Sequence, residues 1–180
     1  MGTNMRKIEI LEAAAKVVAE QGIFNLTFEA VAKEAGLSKG GLLYHFPSKE
    51  VLVAEMVKHL ANNYRFKIDD SATADVVDKG KWTRAYVDVT FNNTYHNPDM
   101  HAGLLAAKAI NPDLMEPMQE VYKEWQEAVD HDEIDPTLAT IIRLAADGMW
   151  LADLFDINPI SDEKKKKVYN TLKQWIDEQA

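Results

Sequence analysis

Thr27-Phe28-Glu29-Ala30-Val31-Ala32-Lys33-Glu34-Ala35-Gly36-Leu37-Ser38-Lys39-Gly40-Gly41-Leu42-Leu43-Tyr44 reads as two short helices on either side of a tight turn. Thr27 is a helix N-cap, because its hydroxyl can accept from a first-turn amide that has no intrahelical partner. Gly36 ends the helix and can take the left-handed conformation that a sharp reversal needs. Ser38 caps the next helix, which Pro47 forbids from continuing. Ala30, Val31, Ala35 and Leu37 supply small or apolar packing between the two helices. The Gly40-Gly41 pair is costly inside a helix, at about 1 kcal/mol per Gly relative to Ala. It calls either for close approach of backbone to a ligand groove or for tight packing on another helix. This is the grammar of a helix-turn-helix.

Outward from this stretch, helical periodicity continues in both directions, with no alternating run that reads as a strand. Before it, Ile8, Leu11, Ala15 and Val18 share one stripe of a helix over Met5–Glu20, stopped by Gly22. After it, Ser48 caps a helix over Lys49–Phe66. Small, polar residues from Asp69 to Gly80 mark a boundary. The expected domains are 1–66 and 67–180. Further helices are expected at Lys81–Tyr95, Met100–Ala109, Pro112–Asp130, Pro136–Phe155 and Asp162–Glu178. Pro117 either sits in the first turn of its helix or splits it. The fold class is all-α, with about nine helices: a three-helix N-terminal domain and a larger helical C-terminal one.

Composition narrows the function classes. The 180-residue chain has no Cys, which excludes disulfides, thiolate metal sites and a cysteine nucleophile. No Gly-x-Ser-x-Gly elbow, Walker loop or dinucleotide fingerprint occurs, so an enzyme is not expected, nor any cofactor. His96, Asp99 and His101 are the one conceivable metal set, but a Pro-containing connector does not give convergent ligands, and no metal is expected. The basic N-terminus leads into no apolar h-region, which argues against a signal peptide. Leu138–Phe155 carries Arg143, Asp147 and Asp153, so it is a core or interface helix and no membrane partner is expected. A cytoplasmic location fits these features. The net charge of -9 is uneven: residues through Arg65 carry +1 and the remainder -10. A local positive face is therefore compatible with an acidic chain.

The stretch from Thr27 through Tyr44, continued by His45-Phe46-Pro47-Ser48-Lys49-Glu50-Val51-Leu52, resembles the signature of the TetR family of transcriptional regulators. Leu43 stands where many members carry Thr. The resemblance implies a homodimer on an inverted-repeat operator of double-stranded DNA, usually as a repressor. It implies that Thr27 and Lys49 touch phosphates, and that Ser38, Lys39, Gly40 and Gly41 present the recognition helix to base edges and backbone. Tyr44 and His45 would contact the sugar-phosphate backbone, with Leu42 and Phe46 in the core.

The C-terminal helices suggest the rest. Pro136–Phe155 has two apolar stripes, Leu138-Ile142-Ala145-Met149 and Ile141-Leu144-Leu151-Phe155, and so must be covered on two sides. The final helix adds Val168, Leu172, Trp175 and Ile176. In the resembled family the corresponding pair of helices packs against its symmetry mate. Met and aromatic residues between Trp82 and Trp150 suit an adaptable apolar pocket. The candidate ligand set is Trp82, Tyr86, Tyr95, His101, Met118, Tyr122, Met149, Trp150 and Asp153, for an effector that is small and largely apolar. Switching by a partner protein is the alternative.

Overall fold

The computed structural model describes residues 2–93, 98–155, 157 and 160–179, with the side chains of 2–4 and 93–102 left out. Among the described residues there are nine α-helices and no strand: α1 (Gly2–Gln21), α2 (Phe28–Glu34), α3 (Lys39–His45), α4 (Lys49–Ala74), α5 (Lys81–Asn93), α6 (Pro98–Ile110), α7 (Glu116–Asp130), α8 (Pro136–Leu154) and α9 (Asp162–Asp177). No helix among them is long and apolar enough to cross a membrane.

Among the helices that differ from expectation, α4 and α7 do so for clear physical reasons. α4 does not stop at Phe66 but runs to Ala74. Val57, Ala61, Ile68 and Ala72 form one buried stripe at helical spacing, and this outweighs the polar residues between them. Pro112–Met115 is a short 3-10 turn capped by the Asn111 side chain, and α7 starts after it. Pro117 therefore lies in the first turn of α7, where its missing N–H costs nothing.

The chain forms two compact units, 1–62 with 97–119 and 63–96 with 120–180. Residues 98–119 return to the N-terminal helices within the first unit. In the first unit α1 packs on α2 and α6. Ile10, Ala14, Leu26, Val31, Leu42, Phe46, Leu52, Val53 and Met56 are its buried core. In the second unit Val87, Val129, Ile134, Ala139, Ile142, Leu172 and Ile176 form the core.

Asp132, 3% exposed, organises the start of α5 from fifty residues away. Its carboxylate accepts from the amides of Trp82 (3.0 Å) and Thr83 (2.7 Å) and from the Thr83 hydroxyl (2.7 Å). These are helix-end donors that would otherwise be orphaned. Gly80 just before them has φ 79°, and a Cβ there would lie 2.8 Å from Ile176 Cγ2. No other residue fits that corner.

Candidate functional site

The turn at residues 27–46 is built by its own caps. Thr27 Oγ1 accepts from Ala30 N at 3.1 Å, and Ser38 Oγ from Gly41 N at 3.1 Å. Between them Gly36 takes φ 64° and Leu37 N donates to Ala32 O at 2.8 Å, so α2 stops and the chain reverses. Val31, Leu42 and Phe46 are buried at 1% exposure or less and hold α3 against the rest of its unit.

That burial fixes what α3 leaves outside. Thr27, Ser38, Lys39, Gly40 and Tyr44 are exposed, and Gly41, His45 and Lys49 are half-buried. Tyr44, 82% exposed, stands with its ring edge-on to His45, centroids 5.2 Å apart. A Cβ on Gly40 would meet nothing within 4 Å, whereas one on Gly41 would lie 3.3 Å from Ser38 Oγ. Packing on another helix is thus not the reason for the pair. Gly40 leaves an open backbone face and Gly41 leaves room for the cap. Lys49 opens α4 behind Ser48, whose Oγ accepts from Val51 N at 3.2 Å. Lys39 Nζ donates to Glu29 Oε1 at 2.6 Å, joining α3 to α2, and this holds the Glu29 carboxyl below the usual range.

The candidate ligand residues scatter. Met149, Trp150 and Asp153 line a cleft together with Thr90, Phe91, Ala146 and Lys165. It encloses about 230 Å³ counting its open mouth, and its closed part has room for no more than about one water. Lys165 Nζ sits 2.8 Å from Asp153 Oδ1, pairing α9 with α8 at the cleft. Tyr86 and Tyr122 engage Asp147 instead. Trp82 is half-buried, and its amide is tied to Asp132. Met118 is buried and belongs to the first unit. Tyr95 and His96 lie outside the described residues, as do the side chains of Asp99 and His101.

The sequence-based set omitted a largely buried charged pair of the second unit, Arg143 with Asp147. Asp147, 9% exposed, accepts from Arg143 Nη1 at 2.9 Å through Oδ2, and from the Tyr86 and Tyr122 hydroxyls through Oδ1. Burial pushes the Asp147 carboxyl up, against the opposing pull of the Tyr86 hydrogen bond and the Arg143 charge. Burial likewise pushes the Tyr122 hydroxyl up to about 12, with the Asp147 charge adding to it. The signal was present: two opposite charges four residues apart inside the most apolar stretch of the chain.

The apolar stripes of α8 separate cleanly. Ile142 is fully buried in the chain's own core, which Leu138 and Ala145 join from its edge. The other stripe stays open, with Ile141 51%, Leu144 55%, Leu151 41% and Phe155 54% exposed, and Trp175 of α9 40% exposed.

Residues 10–56 match the model of bacterial regulatory proteins of the tetR family, and residues 80–177 that of the tetracyclin repressor-like C-terminal domain. The chain is 34% identical over 123 residues to the HTH-type transcriptional regulator LmrA of Bacillus subtilis, 65% of each chain. Smaller shares of the next curated relatives are matched. A transcriptional regulator from Rhodococcus sp. Rha1 shares the fold with a TM-score of 0.76 at 18% identity, over 96% of both chains. The multidrug binding protein EbrR, solved with malachite green, does so at 0.64 and 24%, over 95% of this chain and 98% of its own. Capped turn, paired short helices and helical second half are therefore those of a member of the tetR family of bacterial regulatory proteins, to which this chain belongs.

Proposed function

We propose that this protein is a DNA-binding transcriptional repressor of the bacterial cytoplasm, that it acts as a homodimer on an inverted repeat, and that a small molecule releases it. One observation carries the DNA reading: α3 is seated by Leu42 and Phe46 while its opposite face is left to solvent, with Tyr44 82% exposed and bare backbone at Gly40. A large exposed aromatic beside a capped helix start suits a phosphate backbone and a major groove. Thr27, Lys49 and His45 would add backbone contacts around it, and Ser38, Lys39 and Gly41 would face bases.

The open stripe Ile141-Leu144-Leu151-Phe155, with Trp175, supports the dimer. Large apolar side chains in one row call for a partner, and the two-fold mate is the simplest. For release, α4 is one continuous helix from Lys49 to Ala74 with residues in both units, and on this reading it would link a change in one to the other. EbrR shows that a fold of this kind accommodates an organic molecule. The test is selection of duplexes from a random pool by the full chain. Enrichment of an inverted repeat, with half-sites about 34 Å or more apart, is expected. Enrichment of no sequence would overturn the reading.

A further inference from the structure

The Arg143 guanidinium lies over the face of the Tyr122 ring, 5.9 Å from its centroid, while Nη1 is held by Asp147 Oδ2 at 2.9 Å. Tyr122 and Tyr86 both turn edge or tilt against Trp125, with centroids 5.2 and 5.3 Å from it. One aromatic face, that of Tyr122, and a buried carboxylate, that of Asp147, meet this cation together, which are the two elements a cation receptor needs. Here the receptor is filled, and the occupant is a cation of the chain itself.

Several features mark that occupant as exchangeable. The Arg143 side chain is 13% exposed, so it has a way out, and its Nε is already held by Gln126 Oε1 at 2.9 Å on α7. The Trp125 indole N–H is buried with no hydrogen-bond partner among the described residues, a donor that only an acceptor on a ligand's substituent, such as a hydroxyl, would satisfy. Charge decides between ligand types. A cation that replaces Arg143 leaves the site neutral. An anion would set a second negative charge beside Asp147, or require it to take up a proton. A neutral molecule would leave either Arg143 in place or Asp147 bare.

We propose that the effector is an organic cation, a quaternary or protonated amine with short apolar substituents, whose head displaces the Arg143 guanidinium between Tyr122 and Asp147. This rests on the effector reading above and adds its chemical class. The cleft at Thr90, Met149 and Trp150 lies one helical turn on from Tyr86 along α5 and from Asp147 along α8, where it would take the substituents. Its small size favours short ones. An internal competitor also taxes affinity, since only molecules with Arg143 swung out can bind.

The test uses three probes of one shape on the full chain: choline, its neutral isostere neohexanol, and the anionic tert-butylacetate. Binding is read by calorimetry and by Trp fluorescence. The wild type should bind choline at least about 10-fold tighter than either isostere, as a desolvated cation–π contact with a counter-charge allows. Arg143→Gln should tighten choline severalfold by removing the competitor. Arg143→Met with Asp147→Asn removes both charges together, so the fold is kept, and choline and neohexanol should then bind alike. Equal binding of all three probes to the wild type overturns the proposal, as does a preference for tert-butylacetate or a choline preference that survives the double substitution. The two readings fail differently. Choline bound as expected with operator affinity unchanged counts for this site and against the effector reading. Release by a neutral or anionic molecule that leaves Arg143 in place does the reverse.

Discussion

Lys39, the first residue of α3, gives its ammonium to Glu29 on α2 across a 2.6 Å hydrogen bond. Both side chains are more than half exposed, so the pair is worth little to stability. On the proposed function its effect would fall on DNA, because the Glu29 carboxylate competes with DNA for the one Lys of α3. Glu29→Gln is expected to raise affinity for random duplex severalfold and to steepen its salt dependence, as read by fluorescence anisotropy. Unchanged binding at every salt concentration would mean that Lys39 does not meet DNA.

Tyr44→Ala and Lys49→Ala should weaken operator and random DNA alike, since both are proposed to contact the backbone rather than bases. Losing Lys49 should also reduce the salt slope by about one unit. Changes at Gly41 should act differently: a Cβ there presses on Ser38 Oγ and disturbs the cap that presents the helix. Sequence preference should shift with it. Full operator affinity in Tyr44→Ala would remove Tyr44 from the interface.

Burial on α8 separates assembly from folding. Ile141→Asp and Leu144→Asp act on the open stripe and should yield folded monomers by sedimentation. Ile142, fully buried in the second unit, should instead cost about 2–5 kcal/mol as Ile142→Ala and prevent folding as Ile142→Asp. A wild type that sediments as a monomer at micromolar concentration would leave the stripe without its mate.

Asp75 accepts from Arg84 Nε at 2.7 Å, and this hydrogen bond holds its carboxyl below the ordinary range. A depressed folded-state pKa gives stability that is present above the unfolded value of about 4 and lost as pH falls through the folded one. Asp75→Asn should therefore lower Tm by a few degrees at pH 7, with the gap closing below about pH 4. Asp147 has the opposite sign. Burial raises its pKa, so its contribution is full below about pH 4 and is lost as pH rises through the folded value. An Asp75→Asn gap that persists unchanged to about pH 2 would show that the Arg84 pair is not its source.

Much of this was legible in the sequence because local chemistry decides it. Thr27, Gly36, Ser38 and Pro47 each favour a helix start or stop through local caps and backbone preferences, and the helices start and stop at them. α4 beyond Phe66 was not legible, since Ile68 and Ala72 continue the stripe only once something packs on it, and Asp69, Asp70 and Ser71 hide it. The two stripes of α8 were visible, but which one faces inward depends on α5 and α9. Around the ligand region, large aromatics marked the neighbourhood. They did not reveal that Tyr86 and Tyr122 close on Asp147, because a buried carboxylate is chosen by long-range packing.

A ligand that releases operator must bind less well when operator is present, and by the same factor, since coupling between two sites is reciprocal. The affinity of a bound small molecule for the full chain should be measured with and without saturating operator duplex, using Trp fluorescence. A coupling of about 1–3 kcal/mol, roughly 5- to 150-fold weaker ligand binding on DNA, is expected for a ligand-released repressor. Equal affinities would make the molecule a passenger and leave regulation to a partner protein.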